Sequence, residues 1–251
     1  MACLHLPWPP PLNESLPMSQ LPHPALPLSA EGNPMIGIVT GATVPRRLDH
    51  LVIGVRDLDA AAALHEKLGF QVGQSNRHPW GTENRIVQFA GSFLELITVP
   101  RGQEVPPHRP QHFSFGAFVK AALERGEGLC MLVLESTDAK ADAAAFHASG
   151  IGGFEPFFFE RQGRKPDGSP LRVAFTLAFA QDVAALDCGF FTCQQHEPQN
   201  FWNPAFQTHG NGATGISGAT GPLAACSGRS CRAATSNSSP APVTFRAPAS
   251  T

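Results

Sequence analysis

Two polar residues interrupt apolar segments of the sequence at positions where they could do chemistry. His50 lies in "LDHLVIGV" (48–55), and Glu95 lies in "SFLELITV" (92–99). A buried carboxylate is costly unless it meets a cation, a proton or a metal. An imidazole nitrogen and a carboxylate oxygen are ligands that suit Zn, Fe, Mn, Ni and Co. Glu95 is therefore a candidate catalytic residue, and both residues are candidate metal ligands.

The alternation of side chains along a strand decides which way these two residues point. If the first segment is a strand, one of its faces is wholly aliphatic and should pack on a helix: Leu51, Ile53 and Val55. His50 lies on the other face. In the later segment Glu95 shares its face with Phe93 and Ile97. Both polar side chains should therefore face away from the helix layer.

The elements that position these residues occur twice along the chain. In the first copy, about 48–99, Asp57 is placed to cap a helix that Gly69 ends, and strands are expected near 70–73, in "NRIVQFA" and in "SFLELITV". In the second copy, about 128–196, the same β-α-β-β-β order follows from "GLCMLVLES", "DAKADAAAFHASG", "FEPFFFERQ", "LRVAFTLAFA" and "CGFFTCQQH". The offset between the copies is 81 or 82 residues, which indicates duplication of one unit. A short helix around 117–125 is expected between them.

The paired units resemble the glyoxalase-like domains of the vicinal oxygen chelate superfamily. The resemblance rests on "LDHLVIGVRDLDAAAALHEKLGF", "HPWGTENR", "LEL" and "QQHEPQNFWNPAF" and covers about residues 47–217. It implies an α+β fold in which two βαβββ modules form a cup-shaped mixed sheet. It also implies that the first and fourth strands of a module are neighbours, and that the ligands of a divalent metal project from them into the cup.

The second module offers a weaker set of candidate ligands than the first. The offset of 81 places Met131 where the first module has His50, and Met is a poor ligand for these metals. The last strand ends in "TCQQH", so Gln194, Gln195 or His196 could contribute, and His196 is the candidate third metal ligand. Alternatively, His50 and Glu95 only hydrogen-bond each other or a buried water.

Two loops are expected to form the mouth of the cup and to bind the substrate. They supply aromatic rings and hydrogen-bond donors suited to a carboxylate or another polar ligand. The candidate substrate-binding residues, together with Gln194 of the last strand, are Arg77, His78, Trp80, Asn84, Arg85, Trp202 and Asn203.

Three kinds of function are compatible with these residues. The first is a metal-dependent lyase or isomerase of the glyoxalase type, with the metal as a Lewis acid and Glu95 as ligand and base. The second is a metal-free protein that binds or sequesters a small molecule, as antibiotic-resistance members of the superfamily do. The third is a ring-cleaving dioxygenase, which needs a site of two His and one carboxylate and hence His196 beside His50 and Glu95.

Composition limits the partners and the compartment. The formal net charge of -2 gives no sign of a nucleic-acid or membrane partner, and no run of 18 apolar residues predicts a membrane span. The six Cys are scattered without CxxC pairs, so reduced thiols and a cytoplasmic location are expected. A small-molecule ligand is the expected partner, and a homodimer is conceivable if the end of the domain leaves an apolar patch exposed.

Both ends of the chain differ from its middle. Residues 1–46 form a Pro-rich extension, and residues 218–251 are mostly Ala, Ser, Thr, Pro and Gly with no acidic side chain. Neither segment can bury enough apolar surface to offset its chain entropy, so both are expected to be disordered. The abrupt change near residue 218 also suggests an out-of-frame end that replaces a structured segment, which resequencing of the locus would test.

Overall fold

The computed structural model describes residues 46–164, 169–181, 188–219 and 243–246. The predictions for residues 1–45 and for most of the tail lie outside this part of the chain. In chain order the elements are β1 Leu48–Gly54, α1 Leu58–Lys67, β2 Asn76–Arg77, β3 Glu83–Phe89, β4 Ser92–Thr98, α2 Phe115–Arg125, β5 Gly128–Glu135, α3 Ala139–Ala148, β6 Phe157–Arg164, β7 Pro170–Ala180, β8 Gly189–Gln195, α4 Pro198–Phe201, a 3-10 helix Pro204–Phe206, β9 Gly215–Ala219 and β10 Val243–Arg246.

Eight strands form one mixed sheet in the order β2-β3-β4-β1-β5-β8-β7-β6. Within each module the first and fourth strands are parallel neighbours, and β1 and β5 join the two modules in antiparallel fashion. The rings of Trp80, just before β3, and Phe159, on the edge strand β6, lie 5.0 Å apart. Because these residues come from opposite ends of the sheet, the sheet must curl. The α+β class and the paired βαβββ modules are confirmed.

Helices α1 and α3 are capped in the same way, as the repeat predicts. The side chain of Asp57 accepts a hydrogen bond from the amide of Ala60 at 2.9 Å, and Asp138 caps α3 through the amides of Lys140 and Ala141. The aliphatic face of β1 contributes to the cores outside the curl, together with Leu94 and Leu96 of β4 and residues of α1. Among the described residues, no helix is long and apolar enough to cross a membrane.

Helix α2 lies on the opposite, concave face of the sheet. Its N-cap is Ser114, and its buried residues share one core with Val52, Met131 and Phe191: Phe115, Val119, Ala122 and Leu123. A Cβ atom added to Gly189 would lie 2.9 Å from the ring of Phe118. This close approach shows that α2 fills the hollow above β5 and the start of β8. In the part of the chain that the structure describes, an open space remains on the concave face beside His50 and Glu95 of the first module.

Two segments differ from the sequence-based expectation. The second strand of module one lies at Asn76–Arg77 instead of 70–73, because the backbone near Phe70 bonds a later segment. The amide of Gln71 donates to Nδ1 of His209 at 3.0 Å, and the amide of Asn211 donates to the carbonyl of Gly69. In the tail, where the composition predicts disorder, β10 pairs with β9.

Candidate functional site

A cavity of about 50 Å³ lies on the concave face of the sheet. A single water molecule needs about 10 to 15 Å³ of such space, so the cavity has room for a small ligand. Its walls are mainly aromatic, and its polar lining is confined to a few side chains. The lining residues are His50, His78, Trp80, Asn84, Ile86, Phe93, Glu95, Phe115, Phe159, Arg161, Phe175, Leu177, Phe191, Cys193 and Phe201.

The ring of His50 is held in place by Asp49 and Phe93. The pairing of β1 with β5 shifts register at Asp49, and this bulge lets two consecutive side chains approach each other. Nδ1 of His50 lies 2.5 Å from Oδ1 of Asp49, and Gln195 donates to the other oxygen of Asp49 at 2.8 Å. Because a carboxylate only accepts hydrogen bonds, Nδ1 of His50 is the donor. The ring also stacks on Phe93, with centroids 4.1 Å apart.

Glu95 faces His50 inside the cavity. The two side chains are 8% and 6% exposed, and Oε2 of Glu95 lies 3.8 Å from Nε2 of His50. This distance is too long for a hydrogen bond. Asn84 donates to Oε1 of Glu95 at 2.5 Å, so one carboxylate oxygen is held while the other faces the imidazole and the cavity. The structure therefore brings His50 and Glu95, the two candidate residues of the first module, together in one cavity.

His78 and Trp80 form one wall, with their rings stacked at 4.5 Å. Nδ1 of His78 lies 2.8 Å from Oγ1 of Thr82, and Nε2 lies 3.4 Å from Nδ2 of Asn84. Burial, opposed by Glu95 and reinforced by Arg161, lowers the pKa of His78 from 6.5 to about 4. His78 is therefore a neutral ring at neutral pH.

The low pKa of His78 makes the fold sensitive to acid. The unfolded chain binds a proton at this ring near pH 6.5, whereas the folded chain binds it only near pH 4. Between these values the unfolded state holds more protons, so stability is fully present above pH 6.5 and falls as the pH drops toward 4. We expect His78 to contribute a loss on the order of 3 kcal/mol over this window.

Urea unfolding at several pH values measures this loss. In His78→Gln the free energy of unfolding should fall less steeply between pH 6.5 and 4, even though the variant is less stable at pH 7. Two further histidines with a lowered pKa, His108 and His209, are present in both proteins. They therefore contribute the same pH dependence to both curves. Parallel curves for the two proteins would contradict the prediction.

Arg161 is a cavity residue that the sequence analysis did not single out. It lies on β6, on the same face as Phe157 and Phe159, and its Nε is buried without a hydrogen-bond partner in the described part of the chain. No ion pair within 4 Å joins its guanidinium to a described residue. Burial lowers the pKa of Arg161, and the charge of Glu95 opposes this shift. The alternation of "FFFER" is the signal that could have placed it.

Several predicted binding residues of module one and of the mouth lie outside the cavity. Arg77 is exposed and pairs with Glu83 at 2.6 Å, and Arg85 pairs with Asp59 at 2.7 Å on the helix side. Asn203 caps the 3-10 helix by accepting from the amide of Ala205. Trp202 packs edge-on against Phe93 and Phe201. In this loop, Phe201 is the residue that lines the cavity, whereas Trp202 supports it.

Gln194 and His196 lie on the face of β8 that points away from the cavity. Gln194 accepts from the amide of Ala139 and donates to the carbonyl of Thr137, both beside α3. Nε2 of His196 lies 2.7 Å from Oγ1 of Thr176. Cys193 lines the cavity instead. Gln194 and His196 share one face of β8, as the alternation of side chains predicts. This face lies against the helices, whereas the expected site needs it to face the cavity.

The register explains why module two supplies no second half of a metal site. Val52 is opposite Glu95 in the β1–β4 pair, and its repeat equivalent Val133 is opposite Phe191 in the β5–β8 pair. Module two thus has Met131 and Phe191 where module one has His50 and Glu95. Both replacements are apolar, and Met131 is completely buried in the core that includes α2.

A divalent metal does not fit the side chains of this cavity. His50 and Glu95 provide two ligands, whereas catalytic zinc sites have three from the protein. Among the described residues, no group of three or more His, Cys, Asp or Glu could hold an ion. The cavity also contains the guanidinium of Arg161, which interacts electrostatically with Glu95 and would repel a second cation. The expected three-ligand set is therefore not assembled here.

Metal analysis of the purified full chain tests this conclusion. We expect zinc, nickel, iron, manganese and cobalt well below one ion per chain after dialysis against each metal. His50→Ala and Glu95→Ala should show the same content. A stoichiometric ion that is lost in both variants would show that a metal binds at this pair.

Comparison with known proteins agrees with this architecture. A family model described as a glyoxalase-like domain matches residues 48–222. No curated protein matches the sequence.

Three solved structures illustrate the similarity at the level of structure. A hypothetical protein from Staphylococcus aureus is 16% identical over 60% of this chain and 59% of its own, with a TM-score of 0.45. A hypothetical protein from Bacillus halodurans is 15% identical over 60% and 95%, with a TM-score of 0.40. A methylmalonyl-CoA epimerase from Mycobacterium tuberculosis is 18% identical over 59% and 86%, with a TM-score of 0.39.

The match thus spans about three fifths of the Staphylococcus aureus protein. The family model, in contrast, covers most of the chain. Its matched residues contain both βαβββ modules and every residue that lines the cavity. The chain therefore belongs to the glyoxalase-like domain family, within the vicinal oxygen chelate superfamily.

Proposed function

We propose that this protein binds a small carbonyl compound in the cavity and catalyses a proton transfer on it, as an isomerase or a lyase does. The observation that carries the proposal is the buried pair of His50 and Glu95. Asp49 holds the imidazole from behind, and Asn84 holds one oxygen of the carboxylate. Groups that are fixed by such supporting hydrogen bonds lose little entropy when they react.

Glu95 is the proton acceptor in this proposal. Its Oε2 has no hydrogen bond from His50 at 3.8 Å and faces the cavity, where it can take a proton from the carbon next to a carbonyl group. The walls are mainly aromatic, and such apolar surroundings lower the local dielectric and strengthen electrostatic interactions in the site. Nε2 of His50 lies beside this carboxylate and can hold or return the proton. No step depends on a metal ion.

A metal-free binding protein is the second candidate. The small, mainly aromatic cavity supports it, because binding needs a shaped space and a few polar groups and no base. A ring-cleaving dioxygenase is not proposed. It would need His196 beside His50 and Glu95, and His196 lies on the other face of β8.

Exchange of solvent deuterium into small carbonyl compounds tests the proposal. The full chain is incubated in D₂O with pyruvate, 2-oxobutyrate or hydroxyacetone, and loss of the proton signal next to the carbonyl is followed by NMR. We expect exchange above the rate in buffer and above that with heat-denatured protein for at least one compound. Binding of a compound without any exchange would support the metal-free binding protein instead.

A further inference from the structure

We infer that the ligand of this cavity carries a carboxylate, which Arg161 binds with the help of the indole N–H of Trp80. The inference rests on the proposed use of the cavity and adds the chemical class of the molecule bound. It is carried by two side chains that line the same small space, each of which has a buried hydrogen-bond donor without a partner among the described residues.

Both donors are buried and unpartnered among the described residues. Nε of Arg161 and Nε1 of Trp80 have no hydrogen-bond acceptor, although both side chains line the cavity. A buried N–H group without an acceptor is costly, and native proteins contain few of them. An acceptor on the ligand would remove this cost at both atoms at once.

The fold places the two donors on neighbouring parts of the wall. Phe159 lies two residues before Arg161 on the same face of β6, and its ring is 5.0 Å from that of Trp80. A guanidinium offers planar N–H groups that match a carboxylate. The indole N–H adds one donor without adding charge.

The charges of the cavity determine how such a ligand is oriented. Glu95 would repel an anion, whereas Arg161 attracts it. The carboxylate therefore binds at Arg161, and the uncharged end of the molecule lies at Glu95 and His50. Oδ1 of Asn84, which is also buried and has no partner among the described residues, can accept a hydrogen bond from a hydroxyl group on that end.

NMR of the indole N–H groups gives a direct measurement. The chain has three Trp, so a ¹⁵N-labelled sample gives at most three indole N–H signals. The signal that disappears in Trp80→Phe is the one from Trp80. Titration with propionate should shift this signal in a saturable way. Propionamide, which has nearly the same shape but no charge, should shift it little at the same concentrations.

Variants of arginine show which residue binds the anion. In Arg161→Gln, propionate should bind about ten- to a hundredfold more weakly, because a charge-assisted hydrogen bond is lost. Arg161→Lys should retain part of the affinity. Arg77→Gln is the matched control, since Arg77 is exposed and pairs with Glu83 outside the cavity, and it should bind like the unchanged protein. Far-UV circular dichroism and the remaining indole signals show whether each variant is folded.

Equal affinity in folded Arg161→Gln, or equal shifts by propionamide and propionate, would overturn the inference. The proposed proton transfer fails or succeeds separately. Binding of propionate through Arg161 without deuterium exchange on any carbonyl compound leaves the carboxylate site standing and rejects the catalytic proposal. Exchange that is equally fast on pyruvate and hydroxyacetone and is unaffected by Arg161→Gln would reject the carboxylate site and leave the catalytic proposal standing.

Discussion

Replacing Glu95 by Gln is expected to lower the rate of deuterium exchange by about a hundredfold or more, because general base catalysis contributes roughly 10² to 10⁴ in rate. Gln has nearly the shape of Glu, and its carbonyl oxygen can still accept the hydrogen bond that Asn84 now donates to Glu95. The change thus removes the base and leaves the cavity filled. The measurement is the proton NMR signal of the carbonyl compound that the unchanged protein exchanges fastest.

Glu83→Gln is the matched control for this variant. Glu83 lies on the neighbouring strand, is partly exposed and pairs with Arg77 away from the cavity, so exchange should continue at the original rate. If Glu95→Gln exchanges as fast as Glu83→Gln, Glu95 is not the base. A folded Glu95→Gln protein that still shifts the Trp80 signal with propionate would confirm that binding survived the substitution.

Replacing Asp142 by Ala is expected to cause the largest loss of stability among these variants, about 2 to 3 kcal/mol, because the buried hydroxyl of Thr192 and that of Ser136 lose their charged acceptor, whereas Arg46 is 43% exposed and stays solvated. Asp142, 5% exposed in α3, binds Arg46 through both oxygens and accepts from the hydroxyls of Ser136 and Thr192. Burial raises the pKa of Asp142, but the hydrogen bonds outweigh it and hold the pKa below its usual value.

Urea unfolding at pH 7, followed by circular dichroism, measures the effect of Asp142→Ala. Thr192→Val is the control, since it removes one hydrogen bond to the same carboxylate and should cost about 1 kcal/mol. Similar losses in the two variants would show that Asp142 is not the centre of this cluster. Because the pKa of Asp142 is lowered in the folded state, its contribution should be fully present above the ordinary pKa of Asp and should be lost progressively as the pH falls through the lower folded-state pKa.

Most of the fold could be predicted from the sequence, because the repeat, the caps and the alternation all indicate the same modules. Asp57 and Asp138 cap their helices as expected, and the strands of module two lie within a few residues of their predicted positions. The second strand of module one could not be predicted. The segment that was expected to form it bonds instead to His209 and Asn211 through Gln71 and Gly69, and local sequence carries no information about such distant bonds.

The candidate site could be predicted in part. His50 and Glu95 converge because they lie on strands that are neighbours in the sheet, and alternation gave both the correct face. The same alternation in module two gave two possible faces, and only the packing against α3 shows which one holds His196. The supporting role of Asp49 depends on a bulge, which the sequence does not reveal. Arg161 lies in an alternating segment and could have been found.

Helix α2 breaks the symmetry between the two modules on the concave face of the sheet. It belongs to neither copy of the repeat, yet it fills the hollow above β5 and the start of β8. Duplication alone would have produced two equivalent hollows, so the inserted connector is what breaks the symmetry. Among the described residues, the ligand space therefore lies beside His50 and Glu95, whereas Met131 at the equivalent place in module two packs in the core with α2. Saturation binding should give a stoichiometry of one.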